Sequence, residues 1–180
     1  MSRIDIPTPD QIPEDSKQIL DTMTRQLHLT PNLFKIMALS PNALNGWAGL
    51  QGALAKTLDA KTRDGIALAV SQVNGCHYCL SAHTFVASTM AKIPAEEIRL
   101  NRLGSSANPK TAAAVAFATK LMETRGKVSE ADLEAVRAAG FSNANIVEIV
   151  ALSAQFMLTN FINNAFDTDI DFPVVEAEIA

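Results

Sequence analysis

The chain has 180 residues, about half of them hydrophobic, and a net charge of −4 with acids and bases interspersed. That length suits one domain spanning 1–180 and is ample for a core. No Lys/Arg block amounts to a nucleic-acid patch, and no run of roughly 18 apolar residues reads as a membrane span. Residues 1–10 form an N-terminal arm without the apolar stretch of a signal peptide, so the cytoplasm is the expected compartment.

Helix signals follow one another along the chain. Pro13 opens an apolar-periodic segment to about His28 carrying Ile19, Leu20, Met23 and Leu27. Thr30-Pro31 and Ser40-Pro41 each read as an N-cap followed by proline at the first helical position. Asp59 caps a helix through Ile66, Leu68 and Val70 that stops near Asn74-Gly75, and a second helix starts at that break and runs to about Met90. Pro94 starts a short helix. Asn108-Pro109 opens an Ala-rich one that ends at Arg125-Gly126. Ser129 with Asp132 resembles a capping box, and Ser142 or Asn143 opens the last long helix, through Phe161. The tail, 167–180, reads as irregular. No alternating strand pattern appears, so the expected fold is all-α, with about eight helices joined by short loops.

Two cysteines cannot make a disulfide framework. In a chain with no export signal, a close CxxC pair is more often catalytic or metal-binding than structural. The segment Asn74-Gly-Cys-His-Tyr-Cys-Leu-Ser-Ala-His83 therefore draws attention. If Gly75 ends one helix of an αα-hairpin, Cys76 falls in the first turn of the next, where free N–H groups and the helix dipole favour a thiolate. At about 100° per residue, Cys76, Cys79 and His83 share one face, and Cys79 and His83 are an i,i+4 pair. An imidazole beside a thiol can act as its base. A second thiol one turn away can attack a sulfenic acid formed on the first, closing a disulfide and releasing water.

The hairpin also proposes an orienting partner. Asp64 lies about ten residues before the turn and His83 about eight after it, at heights matching to about 3 Å. Along one continuous helix Asp64 would stand about 18 Å from Cys76. Dipole reasoning favours Cys76 as the nucleophile, and contact with His83 favours Cys79. Both remain open on this reading.

Other residues read more plainly. Tyr78 either offers a hydrogen bond to substrate or packs. His77 is expected at solvent or a subunit contact, with substrate contact the alternative. Trp47 reads as core or interface, and Met23, Met37, Met90, Met122 and Met157 as core. Zinc is the chemical rival for Cys76, Cys79 and His83, but a structural site takes four ligands, usually from two segments, so no metal or other cofactor is expected.

The acid, CxxC and His pattern in an all-α chain of this size resembles the carboxymuconolactone decarboxylase superfamily, in its alkylhydroperoxidase D (AhpD)-like, peroxidase-related branch. The resemblance extends to Ile6-Pro7, to Leu29-Thr-Pro-Asn-Leu-Phe, and to Asn163-Asn164 with Asp171-Phe172-Pro173. It implies an oxidoreductase: a homo-oligomer, trimeric or hexameric, reducing an organic hydroperoxide or hydrogen peroxide. A dithiol reductant, a lipoylated or thioredoxin-like protein, would recharge it. Carried over by position, Cys79 would attack the peroxide, Cys76 would resolve, and His83 would relay protons. The family's relay glutamate falls on Asp64, one methylene shorter, and Tyr78 stands where AhpD has a histidine. A lactone decarboxylase on the same scaffold and a non-catalytic or zinc-binding assembly protein are the alternatives.

Overall fold

The computed structural model describes residues 1–177. Among these, nine α-helices run in chain order: α1 Glu14–Leu27, α2 Asn32–Met37, α3 Pro41–Leu54, α4 Ala60–Val73, α5 His77–Thr89, α6 Ala95–Arg102, α7 Pro109–Glu123, α8 Glu130–Ala138 and α9 Asn143–Phe166. No strand appears among the described residues, and the fold is all-α, as expected. Nine agrees with the expectation of about eight.

The helix starts come from capping chemistry. The side chains of Ser40, Asp59 and Asn108 accept from backbone N–H groups two or three residues on. Ser129 with Asp132 and Ser142 with Asn145 close full capping boxes. Each satisfies N–H groups that a helix leaves unpaired. Thr30 departs from expectation. Pro31 is the N-cap of α2, and Thr30 instead shares a hydrogen bond with Thr24 at 2.5 Å. With Pro31 holding the entry angle, no side-chain cap is made there.

Helix α4 is the hub, packing on α5, α6, α7 and α9. It is buried from Gly65 to Ser71, as a helix apolar on all sides must be. A Cβ at Gly65 would stand 2.8 Å from Val115 Cγ2 and 3.2 Å from Asn101 Oδ1, so glycine lets α4 approach α7 and α6. One core cluster joins α4, α7, α8 and α9 through residues such as Ile66, Val115 and Ile149. A second joins α1, α2 and α3 to the start of α5 and includes Cys76, Tyr78 and Cys79. Met90, expected in the core, is 51% exposed beyond the end of α5.

Helix α9 also departs from the sequence reading, since by length and composition it is long and apolar enough to cross a membrane. In this fold Gln155, Asn160 and Asn163 on it are buried, and their amides face protein partners. The N-terminal arm lies on its far end, where Arg3 donates to the carbonyls of Ala165 and Phe166. Of the expected irregular tail, 167–177 contains no helix, and 178–180 lie outside the described residues.

Candidate active site

The reversal between α4 and α5 is made by Asn74, the C-cap of α4, and Gly75, whose φ of +60° lies in the left-handed region that glycine enters without strain. Cys76 follows as the N-cap of α5, one position earlier than the first turn. Its Sγ accepts from the Cys79 backbone N–H at 3.2 Å. Cys76 and Cys79 are paired as a disulfide with their Cα atoms 5.3 Å apart.

The two sulfurs differ in outlook. Cys76 is fully buried behind the turn. Cys79, 3% exposed, lines a cavity of about 270 Å³. His83 and Asp64 line the same cavity, so the hairpin brings these three together as the sequence suggests. No hydrogen bond joins Asp64 to His83 among the described residues. The cavity wall is otherwise largely apolar, with Phe34, Trp47, Ala82, Phe156 and Phe172. Trp47, expected as core or interface, is thus also a cavity residue; its ring lies 4.7 Å from that of Phe34.

Burial sets the protonation states. Removal from water pushes the Asp64 carboxyl up to about 6; the Arg63 guanidinium beside it draws it down, and Asp59 adds to the rise. Burial pushes the His83 imidazole down to about 4, so it is neutral at pH 7. Its ring stands edge-on to Phe156, centroids 5.2 Å apart. A carboxylate and a neutral imidazole therefore face one sulfur across an apolar space.

Tyr78 and His77 take other positions. The Tyr78 ring borders the cavity, but its hydroxyl donates to Asp171 Oδ1 at 2.7 Å and accepts from the Leu33 backbone N–H at 3.1 Å. Burial pushes its phenol further up. The hydroxyl ties the tail to α2. His77 is exposed and lines a different depression with Asp167 and Asp169. As the first residue of α5 it points off the face that carries Cys79 and His83. Among the described residues no group of three His, Cys, Asp or Glu side chains is placed to hold a metal ion.

Sequence reasoning named Asn163-Asn164 only within the resemblance and missed what the asparagines of α9 hold. Asn160 Nδ2 donates to Ser71 Oγ at 3.3 Å and its Oδ1 accepts from Asn74 Nδ2 at 2.8 Å. Asn164 Nδ2 donates to the Asn74 carbonyl at 2.9 Å, and Asn163 Nδ2 donates to Cys79 Sγ at 3.2 Å. Positions i, i+3 and i+4 form one face of a helix. Three amides on one face of an otherwise apolar helix were the available signal.

Residues 41–121, which include Asp64, both cysteines and His83, match the carboxymuconolactone decarboxylase family. Over 94% of its length the chain resembles an alkylhydroperoxidase AhpD core, a peroxidase-related protein from Ralstonia eutropha JMP134. That likeness covers 92% of the other chain, with a TM-score of 0.83 and 28% identity. Through residues 41–121 the chain is similar to the carboxymuconolactone decarboxylase family, and its fold is similar to that of the AhpD core. A peroxidase-related protein from Silicibacter sp. TM1040 shares the AhpD-like fold at 25% identity, over 93% of this chain and 91% of that one, with a TM-score of 0.79. The debrominase Bmp8, 20% identical over 94% and 91% of the two chains with a TM-score of 0.77, shares the fold. No curated protein matches the chain. The AhpD-like scaffold and its CxxC pair fit a peroxidase.

Proposed function

We propose that the protein is an oxidoreductase that reduces organic hydroperoxides with the Cys76/Cys79 dithiol. The observation that carries this reading is that Cys79, and not Cys76, opens on the apolar cavity shared with His83 and Asp64. The Cys79 thiol gives its proton to the Asp64 carboxylate, directly or through neutral His83. The thiolate attacks the terminal peroxide oxygen, the O–O bond breaks, and the leaving alkoxide takes that proton as the alcohol. The Cys76 sulfur then attacks the Cys79 sulfenic acid, and its thiol proton leaves with the hydroxide as water. Hydroperoxide and dithiol become alcohol, water and disulfide, and an external dithiol, lipoyl or thioredoxin-like, reverses the disulfide by exchange.

A relay group with a pKa near operating pH gives and takes a proton readily, which Asp64 at about 6 supports. Aromatic walls and about 270 Å³ of space favour a compact organic hydroperoxide, with hydrogen peroxide the smaller substrate. A halogenated aromatic ring is the competing substrate for such walls; a cysteine-to-alanine variant of Bmp8 binds 2,3,4-tribromopyrrole. The working unit is a homo-oligomer, trimer or hexamer. Val147, Val150, Leu158 and Phe161 lie exposed within about 80° of arc on α9, an apolar stripe that a second copy would cover.

The deciding experiment is mass spectrometry of the Cys76/Cys79 peptide after one equivalent of cumene hydroperoxide is added to reduced protein. Stoichiometric disulfide with release of the alcohol supports the proposal. Unreacted thiols remove it, and loss of bromide from tribromopyrrole in their place would select the competing substrate.

A further inference from the structure

Among the described residues Cys79 Sγ has one polar side-chain partner beyond its own helix, the Asn163 amide. Its Nδ2 donates at 3.2 Å across 84 residues of sequence, with both residues buried. The other end of that amide is an orphan: Asn163 Oδ1 is buried and has no hydrogen-bond partner among the described residues. A buried carbonyl oxygen left without a donor is unfavourable. Its neighbours Asn160 and Asn164 are held by the 71–74 segment, which fixes the stretch of α9 carrying Asn163 against the reversal.

We propose that Asn163 is a catalytic residue that serves Cys79 in two successive states. While Cys79 is a thiolate, the Nδ2–H group donates to it, a charge-assisted bond that lowers the pH at which the thiolate forms. Once an oxygen has been transferred to Cys79, the sulfenic hydroxyl donates to Oδ1 on the same planar amide and gives the orphan its partner. The amide thereby holds the intermediate until Cys76 attacks. The second half of this assignment rests on the peroxidase reading; the first half stands on the amide and the sulfur alone.

The test uses the full chain in a Cys76→Ser background, where Cys79 is the only thiol. The rate of Cys79 alkylation by iodoacetamide is followed against pH. With Asn163→Leu the midpoint is expected to rise by about one pH unit, slowing alkylation about tenfold near neutrality. Asn163→Asp keeps the shape and sets a carboxylate against the thiolate, so its midpoint is expected to rise also, and it serves if the leucine variant does not fold. An unchanged midpoint in a folded variant overturns the thiolate role. Dimedone trapping after one equivalent of cumene hydroperoxide then times the sulfenic acid, whose lifetime is expected to shorten severalfold in Asn163→Leu. An unchanged lifetime overturns the second role. A shifted midpoint without any peroxide reaction retains Asn163 as a partner of Cys79 and rejects the peroxidase.

Discussion

The hydroxyl of Tyr78 donates to Asp171 Oδ1 at 2.7 Å, and the second oxygen of that carboxylate accepts from the Asn32 backbone N–H at 2.9 Å. The residue beside Cys79 is thus tied to the tail and, through it, to the N-terminus of α2. Tyr78→Phe leaves the Leu33 N–H and one carboxylate oxygen without their partner. The expected loss is about 2 kcal/mol, or about 4–8 °C in Tm, measured by thermal denaturation. Retained thiol reactivity in that variant would mark the hydroxyl as structural; loss of turnover at unchanged Tm would contradict that role.

Separate roles for the sulfurs predict separate phenotypes. Cys79→Ser is expected to abolish thiol-dependent peroxide consumption, since Cys76 does not reach the cavity. Cys76→Ser is expected to stop at a sulfenic acid or a mixed disulfide with added thiol, identified by mass spectrometry. Undiminished turnover in both variants would refute the dithiol mechanism.

Asp64 predicts opposite pH effects on rate and on stability. As the proton acceptor it must be a carboxylate, so kcat/KM should fall below a midpoint near 6. Asp64→Asn should lose about 10²–10⁴ in rate together with that limb. For stability the sign reverses. The folded pKa is raised, so the native state binds the proton more tightly than the unfolded chain. Its contribution is full below the ordinary carboxyl value and is lost as pH rises through 6. Asp64→Asn is therefore expected to be more heat-stable than the parent at pH 7 and much less active. A parallel fall in both would argue against the assignment.

His83 titrates lower, at about 4. Its depressed value means that stability from this group is full above pH 6.5 and lost as pH falls through 4. His83→Gln is expected to flatten the acid unfolding limb in that window, measured by denaturation at stepped pH.

Cavity size predicts substrate choice. Ala82→Leu adds bulk to the wall that carries Cys79 and His83. It is expected to raise KM for cumene hydroperoxide about tenfold or more, the effect of about 1.4 kcal/mol of lost fit, while hydrogen peroxide reduction is little changed. An equal effect on both would place the organic substrate elsewhere.

The helices were legible because their starts carry their own chemistry. Ser40, Asp59, Asn108, Ser129 and Ser142 are local signals, and the N-cap bonds they predict are made. The hairpin at Asn74-Gly75 was legible for the same reason: a left-handed glycine ends a helix whatever surrounds it. The residues facing Cys79 from elsewhere were not. Asn163 meets it across 84 positions, and Tyr78 meets Asp171 across 93, pairings that only the packing of α9 and the tail creates. Trp47 is a core residue as expected and a cavity wall besides, and the second role was not legible because both have the same sequence pattern; it depends on whether the neighbours fill the space.

The asparagine face of α9 has a consequence for how the gene can change length. Ile149, wholly buried in the core upstream, and the amides of Asn160, Asn163 and Asn164 downstream fix one rotation of the helix. One residue inserted between them would turn the amides about 100° away and release the reversal and the sulfur at once. Insertions and deletions should therefore be purged from the interior of α9 and be better borne in connections between helices, where extra length turns no helix face.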